Sequence, residues 1–244
     1  MSRTDRRKYR ETMLEIAGDI VAGRLPPGSV VPREVTLAER YDISRGGARE
    51  CMRALEERGL ITVKHGSVTT VNPREAWDLF DVDVLAVALA GPEADLLLGE
   101  YLECRRIIEI EAAGLAAERA TRERIGALED RFEAMVAALA LRPAREQERA
   151  YHAADVAFHI ALVEATGNGT LAALVRRIDD ALLAARYPLA RPAYRRTRAI
   201  PEHEAILAAV RARDGAGARA AMHAHLDTIE GYLREHARKV ARAA

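Results

Sequence analysis

The chain has 244 residues, of which 49% are apolar and only 5% aromatic, and its formal net charge at pH 7 is zero. No apolar run approaches the roughly 20 residues that a membrane-spanning helix needs, and the charged N-terminus lacks the apolar stretch of a signal peptide. The two cysteines are too few for a disulfide framework, so we expect reduced thiols and a cytoplasmic location.

The charges are distributed unevenly between the two parts of the chain, although they sum to zero. Residues 1–73 carry 13 lysines and arginines against 10 acidic residues, whereas residues 74–244 carry 24 against 27. The N-terminal part therefore has the modest basic excess that contact with phosphates would require.

The first predicted element is an amphipathic helix over residues 5–22, with Met13, Ile16, Ile20 and Val21 on its apolar face. The sequence Leu25-Pro26-Pro27-Gly28 is typical of the turn that ends it.

Residues 33–72 follow the pattern of a helix, a tight turn, a second helix and two short strands. Asp42-Ile43-Ser44 predicts the turn, with Ser44 as the N-cap of the second helix. Leu37 and Ala38 belong to the inner face of the first helix, and Ala48, Met52 and Leu55 to that of the second.

Two β-branched runs, residues 60–63 and 68–71, flank Lys64-His65-Gly66-Ser67. They predict a β-hairpin with a basic tip. The whole unit is a predicted winged helix-turn-helix.

Arg45, Arg49 and Arg53 recur at every fourth position along another side of the second helix. A helix with arginines in its N-terminal turns can enter the major groove of DNA. The alternative is a solvated face, but the turn, the spacing and the basic hairpin together favour DNA. The basic residues at 6–8 and Arg10 either reach the DNA backbone or form a solvated helix end.

At these residues the sequence resembles the GntR-type bacterial regulators. The matching pieces are Gly23-Arg-Leu-Pro-Pro-Gly-Ser-Val-Val-Pro32, Leu37-Ala-Glu-Arg-Tyr-Asp-Ile-Ser-Arg-Gly-Gly-Ala-Arg-Glu50, Leu55-Glu-Glu-Arg-Gly-Leu-Ile61 and the His65-Gly66 tip. The resemblance covers roughly residues 8–72. Its candidate DNA-binding residues are Arg33, Ser44, Arg45, Gly46, Gly47, Arg49, His65 and Gly66.

The sequence departs from the family pattern at two places. Val35 stands where relatives commonly have an arginine, and Arg33 is the candidate replacement. Gly46 and Gly47 follow the Ser-Arg pair, where relatives tend to have hydroxyl residues or proline. Each glycine costs the helix about 1 kcal/mol relative to alanine. The missing side chains either allow closer approach of backbone N–H groups to a phosphate or only make the helix less rigid.

A short hinge at Asn72-Pro73-Arg74 separates two predicted domains, residues 1–73 and residues 74–244. Beyond the hinge every periodic segment is helical, and Thr121 and Thr197 are candidate N-caps. The fold class is therefore mainly α, an N-terminal winged helix-turn-helix followed by an all-α antiparallel helical bundle. The predicted helices of the bundle span residues 75–90, 93–119, 122–141, 144–165, 168–187, 196–213 and 215–241.

Three histidines and one carboxylate, from three of these helices, face inward by helical phase. Asp155 and His159 are four residues apart, while His203 and His225 lie on or beside apolar stripes. His223 belongs to the wet face of its helix. A divalent cation would satisfy the four inward groups, with zinc first and nickel or manganese as alternatives. Separate packed or hydrogen-bonded histidines are the other interpretation.

The bundle also resembles the FCD ligand-binding domain of the FadR-like branch of the same family. The matching pieces are Asp155-x-x-x-His159, Glu202-His203-x-x-Ile206 and Met222-x-x-His225-Leu226. The resemblance implies that Asp155, His159, His203 and His225 hold a metal ion, which in turn holds a small organic acid.

Two further residues match family positions near the effector pocket. Arg105 would pair with the acid's carboxylate, and Glu109 is a weaker candidate for orienting that arginine. Asn168 matches a position near the pocket, although its local role in the Gly-Asn turn is an equal alternative.

The sequence thus predicts a ligand-responsive transcription factor, a homodimer that reads a palindromic DNA site and is not an enzyme. One alternative is a metal-dependent hydrolase that uses the ion to activate water, although no motif such as H-E-x-x-H is present. Another is an architectural DNA-binding protein without an effector.

Overall fold

The computed structural model describes residues 3–63, 68–184 and 193–243, and the chain divides into two compact units, Met1–Leu97 and Leu98–Ala244. The N-terminal unit contains α1 (Arg3–Val21), α2 (Glu34–Arg40), α3 (Arg45–Glu57), β1 (Ile61–Thr62), β2 (Thr70–Val71), a 3-10 turn (Arg74–Ala76) and α4 (Val82–Leu89). Helix α5 (Ala94–Arg119) leads into the C-terminal unit, which continues with α6 (Arg122–Ala138), α7 (Ala144–Ala165), α8 (Gly169–Ala184), α9 (Ala193–Arg211) and α10 (Gly215–Ala243). The predicted mainly α fold is confirmed.

The core of the N-terminal unit is built from the apolar faces that the sequence predicts. Met13, Ile16 and Ile20 of α1 are buried, and Leu37 of α2 is buried beside them. Helix α3 contributes Ala48, Met52 and Leu55, among other residues, to the same cluster. Burial of these side chains fixes the rotation of α3 and leaves its other side exposed.

Local hydrogen bonds define how α3 begins. The Gly47 backbone N–H donates to Ser44 Oγ at 3.0 Å, which confirms Ser44 as the N-cap. Asp42, in the turn, has a φ of 49°, a left-handed conformation that aspartate tolerates better than most residues.

The wing is shorter than the sequence predicts. Strands β1 and β2 are antiparallel, with Ile61 opposite Val71 and Thr62 opposite Thr70, and each has two residues. Val30 forms an isolated bridge to Thr70 on the other side. Residues 64–67, which include the predicted basic tip, lie outside the described residues.

The segment after the hinge differs from the predicted helix over residues 75–90. Only the turn Arg74–Ala76 and then α4 are helical, because Asp81 caps α4 and accepts hydrogen bonds from the N–H groups of Asp83 and Val84. Helix α4 packs against α1, so the division between compact units comes after Leu97 rather than after residue 73.

The C-terminal unit is a bundle in which α6 packs against α7, α7 against α8 and α9 against α10, in each case across a short connection. Its core includes Leu128, Phe158, Leu162 and Met222, all fully buried. No helix within the described ranges is both long and apolar enough to cross a membrane.

The predicted helix starts in this unit are mostly accurate. Thr121 caps α6, with its side chain accepting the Arg124 N–H, as predicted. The predicted cap at Thr197 is wrong, because α9 already begins at Ala193 and Thr197 lies within it. The predicted end of the helix over 168–187 falls in residues 185–187, outside the described residues.

Candidate metal centre and nucleic-acid interface

Helix α3 presents its arginines to the outside of the N-terminal unit. Arg45 is the first residue of the helix and is exposed. Arg49 is also exposed, and its Nε lies 3.5 Å from Glu34 Oε2, at the limit of an ion pair. Such a weak surface contact costs little to break, so both guanidinium groups are accessible to a phosphate or a base edge.

The two glycines of α3 differ in their surroundings. Gly46 is exposed, whereas Gly47 is buried beside the turn. A Cβ added at Gly47 would lie 3.4 Å from Ser44 Oγ, the oxygen that caps the helix. This is an ordinary van der Waals distance, so nothing in the structure explains why Gly47 departs from the family pattern.

The other predicted DNA-contacting residues have different positions. Arg33 occupies the residue before α2 and is exposed, without a side-chain capping bond, and Val35 is 46% exposed. His65 and Gly66 lie outside the described residues.

Two basic residues of α1, Lys8 and Arg10, form contacts within the protein, whereas the side chains of Arg6 and Arg7 lie outside what the structure describes. Lys8 Nζ lies 2.6 Å from Asp42 Oδ2, and this contact lowers the pKa of the Asp42 carboxyl. Arg10 Nη2 lies 2.7 Å from Asp83 Oδ1. Both cations thus tie α1 to other parts of the N-terminal unit, a role other than the two alternatives considered from the sequence.

In the C-terminal unit, the three histidines among the predicted metal ligands come together, and Asp155 lies beside one of them. Asp155 and His159 lie one turn apart on α7, His203 lies on α9 and His225 on α10, and all four are at most 4% exposed. One ring nitrogen from each histidine lies within 4.8 Å of the other two. Asp155 Oδ1 is 3.2 Å from His203 Nε2, and the Nε2 atoms of His159 and His203 are 3.4 Å apart.

Each imidazole has its Nδ1 beside an acceptor outside this cluster. The acceptors are Glu109 Oε2 at 2.7 Å from His159, the Ala199 carbonyl at 2.8 Å from His203, and Glu202 Oε2 at 2.9 Å from His225. An Nδ1–H of His203 or His225 that donates to its oxygen leaves Nε2 of that ring as the nitrogen with a lone pair, whereas His159 Nδ1 is close to its carboxylate but lies outside hydrogen-bond geometry. This is the arrangement of histidines that bind metal through Nε2 and are oriented by a partner on the other nitrogen.

The donor set fits a divalent cation. Three buried imidazoles and one carboxylate oxygen are the ligand types that zinc accepts, and nickel and manganese also bind such groups. If both Nε2 atoms carry lone pairs, they repel each other at 3.4 Å in a buried site, and a cation between them would remove this cost.

The electrostatics of the cluster keep the histidine beside Glu109 ready to bind metal. Burial lowers the pKa of His159 below its ordinary value, with Glu109 opposing this effect. Burial alone would raise the pKa of the Glu109 carboxyl, but Arg105 and His159 outweigh it and lower this pKa to about 2. His159 is therefore held as a neutral imidazole and Glu109 as a carboxylate.

The rotation of α10 agrees with the sequence. His225 is fully buried, whereas His223 is exposed and its Nδ1 lies 3.0 Å from Asp227 Oδ2. Arg106 contacts the same surface group, with Nη1 2.6 Å from Asp227 Oδ1. The predicted inward position of His225 and outward position of His223 are thus confirmed.

Of the two predicted effector residues, only Arg105 is linked to the metal cluster. Arg105 is 7% exposed, and its Nε lies 2.5 Å from Glu109 Oε1, the carboxylate that also contacts His159. Asn168 is exposed, and its Oδ1 accepts the Leu171 N–H at 3.1 Å, so the contact that it makes is the cap of α8.

Sequence reasoning did not identify the contacts of Glu109 and Glu202 with the histidines. Glu109 lies one turn after Arg105 on α5, which suggested only their mutual contact, and Glu202 precedes His203 directly in sequence. Both reach histidines on other helices, and only the packing of the bundle brings them together.

Comparison with known proteins covers both units. The family described as bacterial regulatory proteins, gntR family, matches residues 8–71, and the FCD domain matches residues 100–228. The galactonate operon transcriptional repressor of Escherichia coli (strain K12) is 30% identical over 231 residues, covering 91% of this chain and 92% of that protein. The regulator LutR of Bacillus subtilis (strain 168) is 32% identical, covering 88% of this chain and 97% of that protein.

A solved structure shares the fold. It is that of Lar, which controls the expression of the Listeria monocytogenes agr system, with a TM-score of 0.65 and 16% identity over 96% of this chain and 98% of that one. At this identity the likeness concerns the fold alone.

Proposed function

The chain belongs to the GntR family of bacterial regulatory proteins, with an FCD domain after its winged helix-turn-helix, and from this premise we propose that it is a metal-dependent sensor of a small organic acid. Members of this kind are transcriptional regulators, and the relatives that match are regulators rather than enzymes. In the proposed function, acid bound in the C-terminal unit changes the affinity of the N-terminal unit for its operator.

The observation that carries this proposal is the arrangement of the three histidines. Their Nδ1 atoms all have acceptors outside the cluster, and their other nitrogens converge. The ligands of the ion would be Asp155, His159, His203 and His225, with zinc first and nickel or manganese as alternatives. A bound cation would supply a Lewis-acidic anchor for the effector's carboxylate.

Arg105 would complete the recognition of the acid. Its Nε and Nη2 donate to Glu109, so the guanidinium is held in one orientation beside the cluster. A relative named for a galactonate operon supports a sugar acid as the effector class. A role for Asn168 in binding the acid stays a prediction.

The DNA-binding part of the proposal places α3 in the major groove. Arg45 and Arg49 would contact bases or phosphates. Ser44, Gly46 and Gly47, at the start of the helix, would approach the DNA backbone. Further contacts would come from Arg33, which flanks them, and from His65 and Gly66 at the wing tip. Two copies would form a homodimer on a palindromic operator, in the cytoplasm where the DNA is.

The proposal predicts that both metal and acid are required for a response. Operator binding is measured by fluorescence anisotropy, on a duplex that the wild-type protein selects from a randomised library. Zinc-loaded and chelated protein are compared with galactonate, other sugar acids and short carboxylates. An acid at 100 times its dissociation constant should also stabilise the loaded protein by about 2.7 kcal/mol.

A change of operator affinity that needs zinc and acid together is the expected result. Metal-containing protein that neither shifts in melting temperature nor changes its DNA affinity with any acid would contradict the sensor. Protein that takes up no metal at all would contradict the metal-dependent part of the proposal and leave only the DNA-binding part.

A further inference from the structure

The C-terminal end of α3 is held by the chain that follows the wing. The Asp78 N–H donates to the Arg58 carbonyl at 2.9 Å, and the Asn72 backbone N–H donates to the Leu60 carbonyl at 2.9 Å. The Asn72 side chain donates to the carbonyl between these two, that of Gly59, at 2.9 Å. The last carbonyls of a helix have no partner within it, and here residues 72–83, the connecting segment, supply partners just beyond its end.

The approach of the connecting segment to α3 is too close for a side chain at Gly59. This glycine has a φ of +70°, and an added Cβ would lie 2.0 Å from the Ala76 carbonyl oxygen. The indole N–H of Trp77, the protein's single tryptophan, donates to the Asn72 carbonyl at 3.1 Å. The connecting segment is thus packed on the end of α3 and is not an extended tether.

Arg58 links this end of α3 to the beginning of α4. Its Nε lies 2.9 Å from Asp81 Oδ1 and its Nη2 2.9 Å from Asp83 Oδ2, while Nη1 donates to the Ala54 carbonyl within α3. The Arg58 side chain is 20% exposed and that of Asp83 only 10%. Asp83 also pairs with Arg10, so one nearly buried carboxylate joins α1, α3 and α4.

We propose that Arg58 is a positioning residue for the recognition helix, which fixes α3 and α4 as one body and so sets operator affinity without contacting DNA. The inference rests on the proposed function insofar as α3 reads the operator. Each of the three guanidinium nitrogens contacts an acceptor inside the protein, and the side chain is only 20% exposed, so these contacts direct Arg58 inward and not toward a phosphate. Helix α4 is followed along the chain by α5, which carries Arg105 and Glu109.

A purely stabilising role for Arg58 makes different predictions. It would lower the melting temperature and leave the DNA affinity of the folded protein unchanged. A direct contact with phosphate would instead reduce the dependence of binding on salt, by about one unit in the slope of log K against log salt.

The test uses the full chain and the variant Arg58→Met, which keeps much of the aliphatic side chain. Arg24→Met is the matched control, because Arg24 is 65% exposed and makes a simple ion pair with Asp19 in the same unit. Asp83→Asn serves as a second variant if the methionine substitution does not fold. Circular dichroism establishes folding, and operator affinity is measured without acid, at several salt concentrations. Acrylamide quenching of Trp77 reports whether the connecting segment stays packed.

Support for the proposal requires three results from Arg58→Met. Affinity falls by about tenfold or more, the salt slope is unchanged, and Trp77 becomes more accessible to acrylamide, whereas Arg24→Met behaves as wild type. Wild-type affinity in folded Arg58→Met, a slope reduced by about one, or unchanged Trp77 quenching would each overturn it. These measurements need no acid. A wild-type protein that does not respond to any acid would therefore contradict the proposed sensor function, but the three measurements on Arg58→Met would still decide the role of Arg58.

Discussion

At the scale of single residues, the metal centre depends on which side of a helix each histidine occupies. His225 and His223 are two residues apart on α10, yet one is fully buried and the other is 52% exposed at its side chain. Helical periodicity is sufficient to distinguish them, because the apolar stripe of α10 fixes its rotation. The sequence therefore predicts which of these two histidines is buried.

The first prediction concerns the ligands themselves. His203→Ala should remove most of the bound metal, because it deletes one of three converging nitrogens in a buried site. His223→Ala should leave the metal content unchanged, since that ring contacts Asp227 at the surface. Metal per chain is measured by mass spectrometry after dialysis, and equal losses in both variants would contradict the assignment.

The second prediction concerns the partner of a ligand. Glu109→Gln should weaken metal binding by about 10–100-fold, because the amide is a poorer acceptor for the His159 Nδ1–H. Glu111→Gln, on an exposed part of the same helix, is the control. Competition with a chelating dye gives the affinities, and equal affinity in Glu109→Gln and wild type would show that Glu109 does not orient His159.

Partners such as Glu109 and Glu202 mark the limit of what the sequence alone predicts. Each reaches a histidine on another helix, and the distance between side chains on different helices depends on how the bundle packs. Residue spacing describes one helix at a time. It therefore predicts which side chains face inward, but not which residues of other helices they contact.

At the scale of elements, capping side chains decide where helices begin. Ser44 and Thr121 are caps that the sequence predicts correctly, because a hydroxyl residue precedes a clear helical pattern at both places. Asp81 is a cap inside a segment that was predicted to be continuously helical, and Thr197 fails as a cap because α9 starts before it. Apolar periodicity alone did not locate these two boundaries.

The prediction for α3 concerns its exposed arginines, compared with an exposed arginine elsewhere in the protein. Arg45→Ala or Arg49→Ala should weaken operator binding by about 1–3 kcal/mol if the arginine reads a base, and should lower the salt slope by about one if it contacts a phosphate. Arg131→Ala, an exposed arginine of α6, should change neither. Anisotropy titrations over a range of salt concentrations measure both quantities; wild-type values in both α3 variants would reject the assignment to the groove.

At the scale of the whole molecule, the two candidate sites lie in two different compact units. The cores that surround α3 and the histidines are separate clusters of side chains. The metal candidates all lie in the C-terminal unit, whereas Trp77 lies in the N-terminal one. This separation allows each unit to be followed by its own signal.

Removal of metal should therefore affect one unit more than the other. Chelation should lower the thermal transition seen by circular dichroism, which the long C-terminal helices dominate, by roughly 5–10 °C. The transition seen by Trp77 fluorescence should move much less. If both signals shift by the same amount, the two units unfold together and the prediction fails.

The order of the ligands along the chain has a further consequence. His159 and His203 are 44 residues apart, so an ion held by both would join distant parts of the chain only while the helices are assembled. Because the unfolded chain lacks the complete set of ligands, the ion would be released on unfolding and would stabilise the folded state by mass action. The complete set of ligands exists only when α7, α9 and α10 have all assembled, so ion uptake would be a late event in folding. Substitutions that loosen the packing of these helices will consequently appear as defects in ion retention, even when every ligand is intact.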